Sequence, residues 1–232
     1  MLDEIDKLFP NREVKNSEEI LAEYVRLFRL LRGLAQSRQC LVTLVIAYRP
    51  EVNRRNLLTP AVGENPLFQS FQEEYLGFLS PEDSQAMIRE IGRWKQIEWD
   101  EDAAKRVFDY CGGHPLISRF FASHACEEGA LKAIDYSRVE ETAKEIQGSL
   151  RRTEIGNYYS EGVWELLRDD EQHVLRLICQ QDEAAFPEEQ IPRDLEDALT
   201  NLQRFGLVAS HGGSLRLTAH LFHVWLQRRI AS

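Results

Sequence analysis

The sequence is poor in cysteine and has no long apolar run, and each shortage closes off a class of protein. Four cysteines in 232 residues, Cys40, Cys111, Cys126 and Cys179, stand far apart and mostly among apolar neighbours, so buried thiols are expected and not disulfides. The longest predominantly apolar stretch, Leu41 to Tyr48, falls well short of the ~20 residues that cross a bilayer, and its β-branched content suits a strand. No membrane span is expected. Met1-Leu2-Asp3-Glu4 has neither the basic start nor the apolar core of a signal peptide, which makes the reducing cytoplasm the expected compartment. Positive charge is also scarce: 28 Lys and Arg against 38 Asp and Glu give a net charge of −10, which opposes attraction to DNA or to anionic membrane. Internal repeats and low-complexity tracts are missing as well. What is present is 43% hydrophobic and 28% charged with a mean hydropathy of −0.40, the balance of a soluble globular chain long enough for one large domain or two to three small ones.

One further absence matters more. No G-x-x-x-x-G-K-[ST] occurs, so the loop whose amides and lysine cradle phosphates is not in this sequence. Yet Leu2-Asp3-Glu4-Ile5-Asp6 has the form of a buried strand running into paired carboxylates. Successive strand residues point opposite ways, so Asp3 and Glu4 can take different tasks.

Along the chain, a helix is expected from Asn16 or Ser17, with Ile20, Leu21, Tyr24, Val25, Phe28, Leu31 and Leu34 on one face. Leu41 to Ala47 reads as a strand covered on both faces, as in a parallel sheet. Pro50, Pro60, Gly63 and Pro66 mark a long loop, and Glu74 to Leu79 suggests one more short strand. Ser80-Pro81-Glu82-Asp83 is a helix start: N-cap serine, proline in the first turn, then acids. Helices are expected at 81 to 93, 101 to 110, 115 to 127 and 137 to 148, forming a compact bundle. Arg151 to Ser160 reads as a linker. Helices at 161 to 168, 170 to 181 and 194 to 205 then lead through Gly206 into a hairpin turned by His211-Gly212-Gly213-Ser214 and a last helix at 219 to 230. Three helices and a hairpin make a winged-helix order.

These landmarks, in this order, resemble the AAA+ and STAND ATPases, with the origin-recognition ATPases as near relatives. Leu2-Asp3-Glu4-Ile5-Asp6 resembles their Walker B segment. Leu44-Val45-Ile46-Ala47-Tyr48-Arg49 looks like the next core strand ending in a sensor arginine, where origin-recognition proteins would usually carry Asn; that favours STAND. Gly113-His114-Pro115 is similar to the GxP motif of STAND lids. The resemblance implies an α/β remnant of a P-loop NTPase core over residues 1–79, an α-helical lid over 80–150 and a winged helix over 161–232, mainly α in total. It implies ATP or ADP with Mg²⁺ as ligands. Asp3 would hold the metal through water, Glu4 would orient the attacking water, and Arg49 would sense the γ-phosphate with its guanidinium fork. Gly113 and Pro115 would pack near adenine, and His220 would reach the β-phosphate.

Plainer readings stand beside these. Asp3 and Glu4 also fit a solvated N-terminus, and Arg49 a surface ion pair. Cys111-Gly112-Gly113-His114-Pro115 stops one helix and starts the next whether or not nucleotide binds. Leu221 stands where plant and animal STAND proteins have Asp after the histidine, so a packing role for His220 competes with ligand contact. Seven Lys or Arg against twelve Asp or Glu from Glu161 to Ser232 leave a net charge of −5, and Asp194, Glu196 and Asp197 fall on the helix that would meet DNA. The expected function is a nucleotide-gated switch completed by a P-loop segment from a longer chain or by like subunits. The alternatives are a non-enzymatic adaptor using the lid and winged helix for protein contacts, or a winged-helix DNA-binding regulator. A Walker B strand beginning at Met1 further implies a chain cut short of its sheet neighbours.

Overall fold

The computed structural model describes residues 17–36, 57–59, 63–64, 72, 74–126, 132–180 and 185–231. Asp3, Glu4, Arg49, Cys40 and the expected strand from Leu41 to Ala47 lie outside the described residues. The chain divides into two compact units, Met1–Glu74 and Tyr75–Ser232. The described part is mostly helical with small sheets, and among the described residues no helix is long and apolar enough to cross a membrane.

In the first unit, helix α1 (Ser17–Gln36) starts where the serine and the following acids predict. Tyr24, Val25 and Phe28 are buried on one stripe, and the Tyr24 and Phe28 rings sit 4.7 Å apart, one helical turn on. Strands β1 (Leu57–Thr59) and β2 (Gly63–Glu64) form an antiparallel pair inside the expected long loop.

The second unit opens with residues 75–80, which form no strand with the described residues, correcting the strand expected at Glu74 to Leu79. Helix α2 (Pro81–Trp94) comes next, capped as predicted: the Asp83 amide donates to Ser80 Oγ at 3.1 Å. Strand β3 (Glu98–Trp99) leads into α3 (Glu101–Cys111), α4 (Pro115–Ala125), strand β4 (Ala133–Ile134) and α5 (Tyr136–Ser149). β3 and β4 pair in parallel, a two-residue ladder that ties the two ends of the bundle together.

The expected linker from Arg151 to Ser160 is instead helically wound on both sides of an extended Thr153. A 3₁₀ turn (Leu150–Arg152) passes into α6 (Glu154–Asn157), then a π-helical turn (Tyr158–Val163) and a second 3₁₀ turn (Trp164–Leu166). Leu150, Ile155, Tyr159, Val163 and Trp164 are buried here, so apolar burial overrides the polar composition that suggested a linker.

Helix α7 (Asp169–Cys179) is anchored by Glu171, fully buried, whose carboxylate accepts from the Arg168 amide at 2.9 Å and from Asn201 Nδ2 at 3.3 Å. Strand β5 (Phe186–Pro187), α8 (Glu196–Arg204), strands β6 (Val208–His211) and β7 (Ser214–Leu217) and helix α9 (His220–Ile230) complete the chain. The three strands form an antiparallel sheet in the order β5-β7-β6. Gly212 (φ 58°) and Gly213 (φ 77°) supply the two left-handed residues of a tight hairpin turn. One hydrophobic core runs unbroken from Ile88 and Val107 in the bundle to Leu202, Leu215 and Phe222 in the C-terminal module, so within this unit the two are not separate globules.

Candidate functional site

The turn between α3 and α4 is where the candidate residues meet. Helix α3 ends on Cys111, and Gly112 (φ 63°) and Gly113 (φ 76°) both take left-handed backbone before Pro115 starts α4. Both glycines are also clamped. A methyl on Gly112 would lie 2.6 Å from the Thr218 carbonyl oxygen, and one on Gly113 only 2.3 Å from that of Leu79. The Leu79 amide donates to Gly113 O at 3.0 Å, closing the contact from the other direction. The turn is thus gripped by residues 75–80 on one side and by the approach to α9 on the other.

His114 joins three elements. Its Nδ1 accepts from the Leu116 and Ile117 amides at 3.2 and 3.4 Å, capping α4. That fixes the tautomer: Nε2 carries the proton and donates to the Tyr158 hydroxyl at 2.7 Å. The Phe78 ring lies 4.7 Å from the imidazole, and the same ring covers Gly206 at the end of α8. Burial, only partly offset by hydrogen bonding to backbone, lowers the His114 pKa to about 4. Protonating Nδ1 would also set a proton against two amide donors. Burial pushes the Cys111 thiol far above its ordinary range, so this cysteine is a neutral core group and not a thiolate nucleophile or ligand.

His220, the first residue of α9, meets the ring of Tyr110 edge-on at 5.6 Å. Tyr110 donates to Glu140 at 3.0 Å, and Arg106 binds the same carboxylate at 2.6 Å. Burial works against the charge on Arg106, but its bond to Glu140 and the neighbouring charges hold its pKa above the ordinary value. This triad fixes Tyr110, and through it the floor beneath His220.

Gly113 and Pro115 share this turn, and His220 lies beside Tyr110 in the last turn of the helix that leads into it, which the spacing alone could not have shown. Asp3, Glu4 and Arg49 lie outside the described residues. Sequence reading singled out Gly113-His114-Pro115 but missed Tyr158, Phe78 and Leu79, which hold it; an aromatic residue in the flanking segment was the signal for the first two, and Leu79 carried none.

No protein-family model and no curated protein matches the chain. Among solved structures, the Walker-type ATPase PaBY2304 of Pyrococcus abyssi aligns over 97% of this chain and 61% of its own, at 13% identity and a TM-score of 0.51. The chain shares its fold with a Walker-type ATPase. The RuvB Holliday junction branch migration motor of Thermotoga maritima aligns over 93% of this chain and 65% of its own, at 14% identity and a TM-score of 0.42, too low to bear on the fold. This chain spans less than two thirds of either solved chain.

Adenine nucleotide and Mg²⁺, the ligands that the ordered motifs imply, are the groups to set against the site. Exposed Pro115 and Leu116 leave an apolar surface beside the turn. Gly113 is buried and offers no side chain, so its part is to let the backbone fold this tightly. Among the described residues no group of three or more His, Cys, Asp or Glu could hold a metal ion. Among the described residues the turn therefore offers apolar surface and no metal-ligand cluster.

Proposed function

We propose that this chain is the Walker B to winged-helix portion of a STAND-type ATPase, acting as a nucleotide-gated switch. The observation that carries the reading is the double grip on the Gly112-Gly113 turn. The surface at Pro115 and Leu116 sits on a turn packed against both residues 75–80 and the Thr218-Ala219 approach to His220. A nucleotide seated on that surface would bias the lid and the C-terminal module together, which is what a bistable signalling element requires. The likeness to a Walker-type ATPase supports the ATPase ancestry. The switch role rests on the ordered motifs, with Asp3 as the Mg²⁺ carboxylate, Glu4 as the group orienting water and Arg49 as the γ-phosphate sensor. Those steps need a P-loop from a longer polypeptide.

The test is a fluorescence titration of an adenine nucleotide against the gene product carrying its P-loop segment. Saturable ADP binding that weakens on Pro115→Ala substitution is expected; no binding would end the proposal. A second reading, a non-enzymatic adaptor, is favoured by the missing G-x-x-x-x-G-K-[ST]. It predicts that neither Mg-ATP nor ADP raises the melting temperature of the 232-residue chain. DNA binding is disfavoured by the acids Asp194, Glu196 and Asp197, all exposed on or just before α8, where phosphates would be repelled.

A further inference from the structure

The π-helical turn at Tyr158–Val163 joins the bundle to the C-terminal module, and three observations set it apart from an ordinary connector. First, its two tyrosines are treated oppositely. The Tyr158 hydroxyl accepts a hydrogen bond from His114 Nε2 at 2.7 Å, with the two rings edge-on at 5.0 Å. Tyr159, one residue later, turns inward against Phe222 and Trp225 of α9 at 5.0 and 6.0 Å, and its buried hydroxyl has no hydrogen-bond partner among the described residues. A buried hydroxyl left unmatched raises the free energy of the state that contains it.

Second, the winding itself is uncommon. Hydrogen bonding from i to i+5 in place of i to i+4 accommodates one extra residue, and rewinding such a turn to α geometry rotates the downstream chain by roughly 100°. Here that rotation would withdraw Tyr159 from the core and let its hydroxyl find water. Third, Gly162 makes room for the present state: the Tyr158 ring crosses it so closely that a methyl there would lie 3.0 Å from Cδ2. The turn ends at Val163, whose φ of −122° and ψ of −69° break the helix before the next 3₁₀ turn.

We propose that Tyr158–Val163 is a two-state hinge between the α2–α5 bundle and the C-terminal module, latched by the His114–Tyr158 hydrogen bond and biased toward opening by the unmatched Tyr159 hydroxyl. The latch closes the same turn that Leu79 and Thr218 grip, so opening the hinge loosens the grip around Gly112-Gly113. The hinge stands without the nucleotide reading, since every group in it belongs to this chain.

Two substitutions that each delete a single oxygen test it by opposite signs, read by hydrogen exchange on the full chain without nucleotide. Tyr158→Phe removes the latch and keeps the ring. Amide exchange across residues 158–166 is expected to quicken about fivefold relative to exchange in α3, as loss of one hydrogen bond predicts. His114→Asn, which keeps an N-cap for α4, is expected to do the same. Tyr159→Phe removes the unmatched hydroxyl, so exchange in the same window is expected to slow and the melting temperature to rise. If Tyr158→Phe changes exchange uniformly across the unit or not at all, or if Tyr159→Phe quickens it, the segment is a static connector and the hinge is refuted. Nucleotide enters neither arm, so failure here is separable from failure of the switch.

Discussion

Two pairs of glycines, Gly112-Gly113 and Gly212-Gly213, adopt nearly the same left-handed backbone for different reasons. The hairpin pair is exposed, and a methyl on either residue would meet nothing within 4 Å. Only the sign of φ requires glycine there. The pair between α3 and α4 is buried, and methyls on it would strike backbone oxygen from two other segments. At that turn conformation and close approach both demand glycine. The same dipeptide thus serves as a local turn in one place and as a contact between distant segments in the other.

The sharpest way to break the comparison is to put alanine at all four positions. Gly113→Ala carries the left-handed cost plus overlap with a backbone oxygen that cannot swing aside, and a loss above ~3 kcal/mol in urea unfolding is expected. A loss no larger than at Gly213 would show that Leu79 yields freely.

The next largest effect is pH dependence at the buried turn. The folded state holds His114 at about 4 against an ordinary 6.5, so the neutral ring is the form that stabilises the fold. Its contribution is complete above pH 6.5 and is lost as pH falls from there toward 4, because the unfolded chain takes up the proton first. Roughly 2 kcal/mol should disappear over that window, a figure reduced for the partial exposure of the ring. In His114→Asn the pH slope should flatten by that amount relative to wild type; an unchanged slope would assign the effect to other groups.

Gly212→Ala or Gly213→Ala should cost only about 1 kcal/mol, since strain at φ is the whole penalty. Asparagine at either position should recover part of it, and a hairpin loss matching Gly113→Ala would erase the distinction. Smallest, and of opposite sign, is Gly148→Ala in α5: with open space around it and helical backbone, the melting temperature should rise by the equivalent of about 0.5 kcal/mol.

Legibility in the sequence divides along the same line. Ser80-Pro81-Glu82-Asp83, the stop at Gly206 and the hairpin at Gly212-Gly213 are written in a few adjacent residues, and each falls within about two residues of its expected place. The wound connector was not readable. Its 3₁₀, α and π turns change period every few residues, so Ile155, Tyr159 and Val163 show no 3.6-residue repeat although all are buried. The β3–β4 pair is only two residues long on each side and carries no alternation to detect.

By itself the sequence determined where the helices outside the 150–166 connector start and stop, which turns need glycine, and that Gly113-His114-Pro115 forms one of them, because these depend on backbone sterics and caps among near neighbours. Tertiary structure alone decided that this turn is clasped by Leu79 and Thr218, that His114 donates a hydrogen bond to a tyrosine 44 residues away, and that His220 packs on Tyr110. Contacts of that kind depend on which distant surfaces burial brings together, and no local pattern encodes that.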